Sequence, residues 1–83
     1  MYYVYVLKSK TGKFYYGFTS NLKQRLEEHQ KGYNVSTRGE QWQLVYFEGY
    51  LAKNDALRRE RNLKDSGQAR RWLKERINES IKQ

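Results

Sequence analysis

Tyr2-Tyr3-Val4-Tyr5-Val6-Leu7, then Lys10-Thr11-Gly12-Lys13, then Phe14-Tyr15-Tyr16-Gly17-Phe18 is the stretch on which the fold turns. The first six residues are continuously apolar or aromatic and rich in strand-forming types. The polar tetrapeptide reads as a turn, with Gly12 free to adopt positive φ. Phe14 to Phe18 resumes the strand pattern, so the two runs predict a β-hairpin. In the first strand Tyr3, Tyr5 and Leu7 share one face, and Tyr2, Val4 and Val6 share the other. Pairing brings Tyr5 near Tyr15, with the register left open.

Beyond the hairpin, Thr19-Ser20-Asn21 offers helix caps, and Asn21 followed by Gln24 has capping-box spacing. Leu22, Leu26 and His29 then fall on one helical stripe with Arg25 beside it, and Gly32 is a stop signal. Tyr33 to Gln41 reads as a polar loop. A third strand is expected at about 43–50, with Leu44, Tyr46 and Glu48 alternating with Val45, Phe47 and Gly49. Asn54 and Asp55 offer a cap for a helix running to about Lys64. Asp65-Ser66-Gly67 breaks it, and a last helix from about Gln68 to Ile81 carries Ala69, Trp72, Leu73, Ile77 and Ile81 as its apolar stripe. The order β-β-α-β-α-α defines one α+β domain over residues 1–83.

Composition narrows the functional classes. Seventeen Lys and Arg against nine Asp and Glu leave +8 on 83 residues, with eight Tyr, three Phe, two Trp and no Pro or Cys. A chain this short buries roughly 60% of the surface its unfolded form exposes, so large aromatic rings are an efficient filling for a thin core. Without cysteine there is no disulfide framework and no thiolate zinc site, and a cytoplasmic location is expected. No apolar run approaches a membrane span. The positive balance favours a polyanionic partner, the alternative being a merely solubilising surface. One histidine cannot build an ordinary zinc site, and there is no phosphate-binding glycine loop, nucleophile elbow or EF-hand loop. The basic residues Arg70, Arg71, Lys74 and Arg76 of the last helix suit nucleic-acid phosphates as well as a membrane surface.

Three groups of residues sit oddly in purely structural slots. Glu60 follows Ala56 and precedes Leu63 at the spacing of an inner helical stripe, among Arg58, Arg59, Arg61 and Lys64. A carboxylate there is either an ordinary salt bridge or a cation ligand. Arg25 and His29 project the same way, four residues apart. Arg offers a planar donor fork for phosphate oxygens, and His exchanges a proton near neutral pH. A half-buried Arg stem and a surface histidine are the plain alternatives. Tyr5 and Tyr15 form the third group. A phenol is a poor base at pH 7 unless a cation or hydrogen bonds favour its phenolate. Tyr2, Tyr3 and Tyr16 read as packing residues.

Taken in order, these positions resemble the GIY-YIG nuclease domain, in particular its small stand-alone bacterial members and the domain that opens the excinuclease C subunit. Tyr3-Val4-Tyr5 stands at the first signature tripeptide and Tyr15-Tyr16-Gly17 at the second. Gly17-Phe18-Thr19, Asn21-Leu22, Arg25-Leu26 and His29 follow at the family's spacing. Ser36-Thr37, Leu44 to Glu48, and Ala56 to Glu60 with Leu63-Lys64 match later blocks. Tyr3 replaces the usual Gly and Tyr16 the usual Ile.

The resemblance implies a three-stranded antiparallel sheet flanked by helices, and a metal-dependent DNA endonuclease of repair or recombination. It implies that Tyr5 and Tyr15 are the signature tyrosines, Arg25 a phosphate contact, His29 its helical companion and Glu60 the ligand of Mg2+ (or Mn2+). Either tyrosine is then a candidate base, Tyr5 being preferred. Lys13, Arg58, Arg61 and Lys64 are expected to join Arg25 in holding the substrate. The expected partner is DNA, with damaged, branched and single-stranded forms all open, no membrane, and a monomer or weak homodimer as the active unit. A non-catalytic DNA- or RNA-binding module is the alternative, and a protein adaptor using its aromatic surface the remaining one.

Overall fold

The hairpin forms, and its outer partner is the third strand. In the computed structural model, which describes residues 1–32 and 37–83, β1 (Tyr2–Ser9) lies between β2 (Phe14–Thr19) and β3 (Trp42–Tyr50) in the sheet order β2-β1-β3. Both pairings are antiparallel. Gly12 takes φ 90 in the hairpin turn, the conformation for which a glycine was expected. The register sets Tyr5 opposite Gly17 and Leu7 opposite Tyr15, so Tyr5 and Tyr15 are diagonal neighbours on one face.

The other face carries the main core. Val4, Val6 and Tyr16 pack there against Ala56, Leu63, Ala69, Leu73 and Ile77, with Tyr2, Phe14 and Phe18 at the margin. These helical residues come from α2 (Lys53–Asp65) and α3 (Gly67–Arg76), with Ile77 just after them. The first helix, α1 (Leu22–Gln30), belongs to the Tyr5 face: Leu26 and His29 line a small cavity there with Leu7, Trp42 and Leu44.

Several local expectations shift. The Asn21 side chain accepts the Gln24 amide at 3.1 Å, as the cap requires, but Gln24 turns outward to Glu28 instead of closing the box. Helix α2 starts one residue before Asn54, capped by the Ala52 backbone without a side-chain bond; Asp55 falls in its first turn, where the helix dipole favours an acid. Ser66 caps α3 through the Ala69 amide. The last helix is broken at Ile77, whose φ −106 and ψ 26 leave the helical region, and a single turn α4 (Asn78–Ile81) follows.

Two residues change sides. A bulge in β3 passes the register from Val6–Tyr46 to Leu7–Leu44, leaving Val45 as the extra residue. Val45 and Tyr46 therefore both pack on the helical core, while Leu44 joins Leu7 on the opposite face, away from Tyr46 and Glu48. Trp72, expected on the inner stripe of the last helix, is 61% exposed. Ala69, Leu73 and Ile77 fill that stripe without it, and a thin three-stranded sheet offers no further depth for an indole. Ser36 and the preceding part of the loop lie outside the described residues.

Candidate active site

Tyr5 sits in the central strand with no exposed surface. Its ring lies across the backbone of Gly17: a Cβ at position 17 would overlap Tyr5 Cζ and Oη and come within 2.8 Å of Cε1. Only a glycine opposite lets the phenol reach past β2 to α1. There its oxygen meets His29 Nε2 at 2.8 Å.

His29 is itself buried, because the cap at Asn21 and the periodicity of α1 turn it inward with Leu22 and Leu26. Its second nitrogen, Nδ1, lies 2.7 Å from Thr37 Oγ1. Thr37 is held from behind by the Trp42 indole, which donates to its carbonyl at 2.7 Å. Tyr15 completes the group, with its ring edge-on to His29 at 5.1 Å and to Trp42 at 6.4 Å. The surface-histidine alternative is thereby removed.

Charge then differentiates the members. Burial, and secondarily Tyr15, pushes the Tyr5 phenol well above the ordinary tyrosine range, against the pull of the Arg25 guanidinium. Burial first, and Arg25 next, lowers the His29 pKa below 6.5. At pH 7 the pair is thus a neutral phenol against a neutral imidazole, which has one ring nitrogen to donate and one to accept. With the phenol donating to Nε2, the Nδ1–H donates to Thr37.

Arg25 acts on both partners through its charge while its Nε pairs with Glu28 at 3.1 Å and its Nη1 reaches the Phe18 carbonyl at 3.5 Å. Glu60 is close enough for its charge to raise the Tyr5 pKa. Ala56 and Leu63 are fully buried as the stripe predicts, whereas Glu60 is half-buried and pairs through Oε2 with Lys64 at 3.1 Å. The ordinary salt bridge therefore exists, and it does not bury the carboxylate. Tyr5, Tyr15 and His29 are in direct contact, with Arg25 acting on Tyr5 and His29, whereas Glu60 on α2 contacts Lys64.

The expected substrate cations are more dispersed. Lys13 lies at the hairpin turn, 68% exposed and paired with Glu40 at 3.0 Å. It is four residues along β2 from Gly17, about 13 Å of extended chain. Arg58 is paired with Asp55, and Arg61 is exposed on the outer side of α2. Sequence reasoning left three contributors unassigned: Thr37, which orients His29; Gly17, which makes room for Tyr5; and Trp42, which holds Thr37. Signals for Thr37 and Gly17 were present in the Ser36-Thr37 block and in the second tripeptide; none marked Trp42. The partners they serve are distant in the chain.

Fold and site together define a nuclease-family domain. Residues 1–78 match the family model described as the GIY-YIG catalytic domain, and the chain belongs to that family. It is 42% identical over 66 residues to a UPF0213 protein of Clostridium perfringens, covering 77% of this chain and 71% of that protein. A UPF0213 protein of Halobacterium salinarum is 33% identical over 73 residues, covering 86% and 95%. The solution structure of a UPF0213 protein from Bacillus halodurans superposes with a TM-score of 0.57 at 32% identity, covering 88% of this chain and 82% of that one. No helix among the described residues is long and apolar enough to cross a membrane.

Proposed function

We propose that the domain is a divalent-metal-dependent endonuclease that hydrolyses phosphodiester bonds in DNA during repair or recombination. The observation that carries this reading is the buried chain Tyr5–His29–Thr37 beside Arg25. A core tyrosine needs no such set of neighbours.

Hydrolysis requires a proton acceptor for water. Tyr5 is neutral at rest, so it takes a proton from water only as it passes its own to His29 Nε2, 2.8 Å away. His29 is kept neutral and so can accept it. Thr37 receives the Nδ1–H, which fixes the tautomer that leaves Nε2 free. Arg25 presents its guanidinium to the phosphate oxygens on which charge develops. Tyr15 packs against His29 and holds the ring in line. Lys64, Arg58, Arg61 and Lys13 neutralise flanking phosphates.

Among the described residues no cluster of three metal-ligating side chains exists. Glu60, a half-buried hard oxygen donor, would be the residue to hold Mg2+ or Mn2+. Held there, the ion supplies charge neutralisation at the phosphate. Lys64 lies on the same carboxylate, so metal binding exchanges one cation for another at Glu60.

The test is nicking of supercoiled plasmid and of branched DNA, with and without Mg2+. Glu60→Gln is expected to abolish metal-dependent nicking while leaving stability within about 0.5 kcal/mol, since a half-exposed i,i+4 pair contributes little. Metal-dependent nicking unchanged in that variant would sink the assignment. Salt-sensitive DNA binding with no cleavage in any metal would instead favour a non-catalytic module.

A further inference from the structure

Trp72 has no role in the core and none at the tyrosine site. It lies on α3 four residues before Arg76, so the two share a helical face. Both line a groove of about 470 Å3 between α3 and β3, whose other wall is Tyr46, Glu48 and Tyr50. Glu48 is the one acid of this groove, and it is fully engaged. Tyr46 and Tyr50 donate their phenols to it, and Arg59 Nε and Nη2 reach it at 3.1 and 3.0 Å. Burial alone would raise the Glu48 pKa, but these hydrogen bonds outweigh it and hold the carboxyl below its ordinary value. The groove therefore presents an exposed indole and a guanidinium over a neutralised floor. Duplex bases are stacked inward and cannot offer a face to such an indole; unpaired bases can.

We propose that Trp72 and Arg76 form a subsite for a single-stranded DNA flank, the indole stacking one unpaired base and the guanidinium contacting an adjacent phosphate. This rests on the nuclease reading and specifies its substrate: DNA carrying an unpaired segment. Tyr46, Glu48 and Tyr50 are opposite Val6, Val4 and Tyr2, on the sheet face away from Tyr5. A flank held there must leave the scissile region and bend around the sheet, which a flexible single strand does and a duplex end does not.

The experiment measures binding of a fluorescent oligo-dT, an abasic oligomer of equal length and a blunt duplex, without divalent metal so that nothing is cut. Trp72→Ala is expected to weaken oligo-dT about tenfold, to leave the abasic strand and duplex unchanged, and to preserve the thermal melt. Trp72→Phe should retain most of the affinity. Arg76→Gln should weaken oligo-dT and the abasic strand alike and lower the salt slope by about 1. Oligo-dT affinity within twofold of wild type in Trp72→Ala would overturn the proposal, as would equal losses on the abasic strand. A self-associated wild type that Trp72→Ala renders monomeric, with DNA binding intact, would assign the groove to a second copy of the chain. Plasmid nicking with Trp72-independent binding refutes this subsite alone; Trp72-dependent binding without nicking by any metal refutes the nuclease reading alone.

Discussion

Replacing Gly17 with alanine adds one methyl group, and the structure says where it goes. The new Cβ would overlap Tyr5 Cζ and Oη and sit 2.8 Å from Cε1. Tyr5 has no exposed surface and a hydrogen bond to His29 at its far end, so its ring has nowhere to retreat. Forcing extra volume into a packed core costs about 1–3 kcal/mol. Loss of the phenol–imidazole bond adds about 1 kcal/mol, since it leaves buried polar atoms unpaired. Alanine regains about 0.5–1 kcal/mol by restricting the unfolded chain. The net expectation is a destabilisation of about 2 kcal/mol, or about 8–16 °C in Tm for a domain of this size.

Urea unfolding followed by circular dichroism measures it, and nicking activity should fall at least tenfold in the same variant. A second arm separates clash from backbone effects. In Tyr5→Leu the ring is gone, so adding Gly17→Ala should cost less than it does in wild type, with a coupling of about 1 kcal/mol or more. Stability of Gly17→Ala within 0.5 kcal/mol of wild type, or strictly additive losses in the double variant, would refute the packing argument and with it the reason given for the second tripeptide's glycine.

Tyr16 occupies the core with a buried hydroxyl that has no hydrogen-bond partner among the described residues. Tyr16→Phe should raise the unfolding free energy measured in urea by about 1 kcal/mol, because an unsatisfied buried hydroxyl costs about that or more; a loss of stability would point to a bound water or partner at that oxygen. His29 is the single histidine, so its ring resonances titrate without ambiguity. Its folded pKa lies below 6.5, owing to burial and then Arg25, and the folded state therefore resists charging it. The associated stability is present above pH 6.5 and is lost as pH falls through the folded value. The ring should titrate with a midpoint below 6.5, and cleavage should fall on the acid side with the same midpoint; a ring midpoint at or above 6.5 would contradict the buried neutral imidazole.

Much of the architecture was legible because it is written in local periodicity. The alternation of Tyr2 to Leu7 sorts the two faces of β1, and Asn21, Gly32 and Ser66 mark helix ends through backbone chemistry confined to a few residues. The candidate site was readable for another reason: Tyr5, Tyr15, Arg25, His29 and Glu60 were picked out by their resemblance to the GIY-YIG pattern, and residues 1–78 match that family's model. Trp72 was misplaced because helical period alone cannot say how many layers a core has. The inner position of each turn was already filled by Ala69, Leu73 and Ile77, and the sheet had nothing left to cover the indole. Leu44 was assigned to the wrong face because one bulged residue reverses the alternation beyond it, and Val45 looks like any other strand residue.

By itself, then, the sequence determined the succession of strands and helices and the two faces of the hairpin, since each depends on neighbours within a few residues. Tertiary structure alone decided that β1 would be central, that Gly17 would lie beneath the Tyr5 ring, that Thr37 would reach His29, and that Trp72 would face solvent. Those outcomes depend on register, strand order and the depth of the core. They are set by packing among segments far apart in the chain, where no local pattern carries the information.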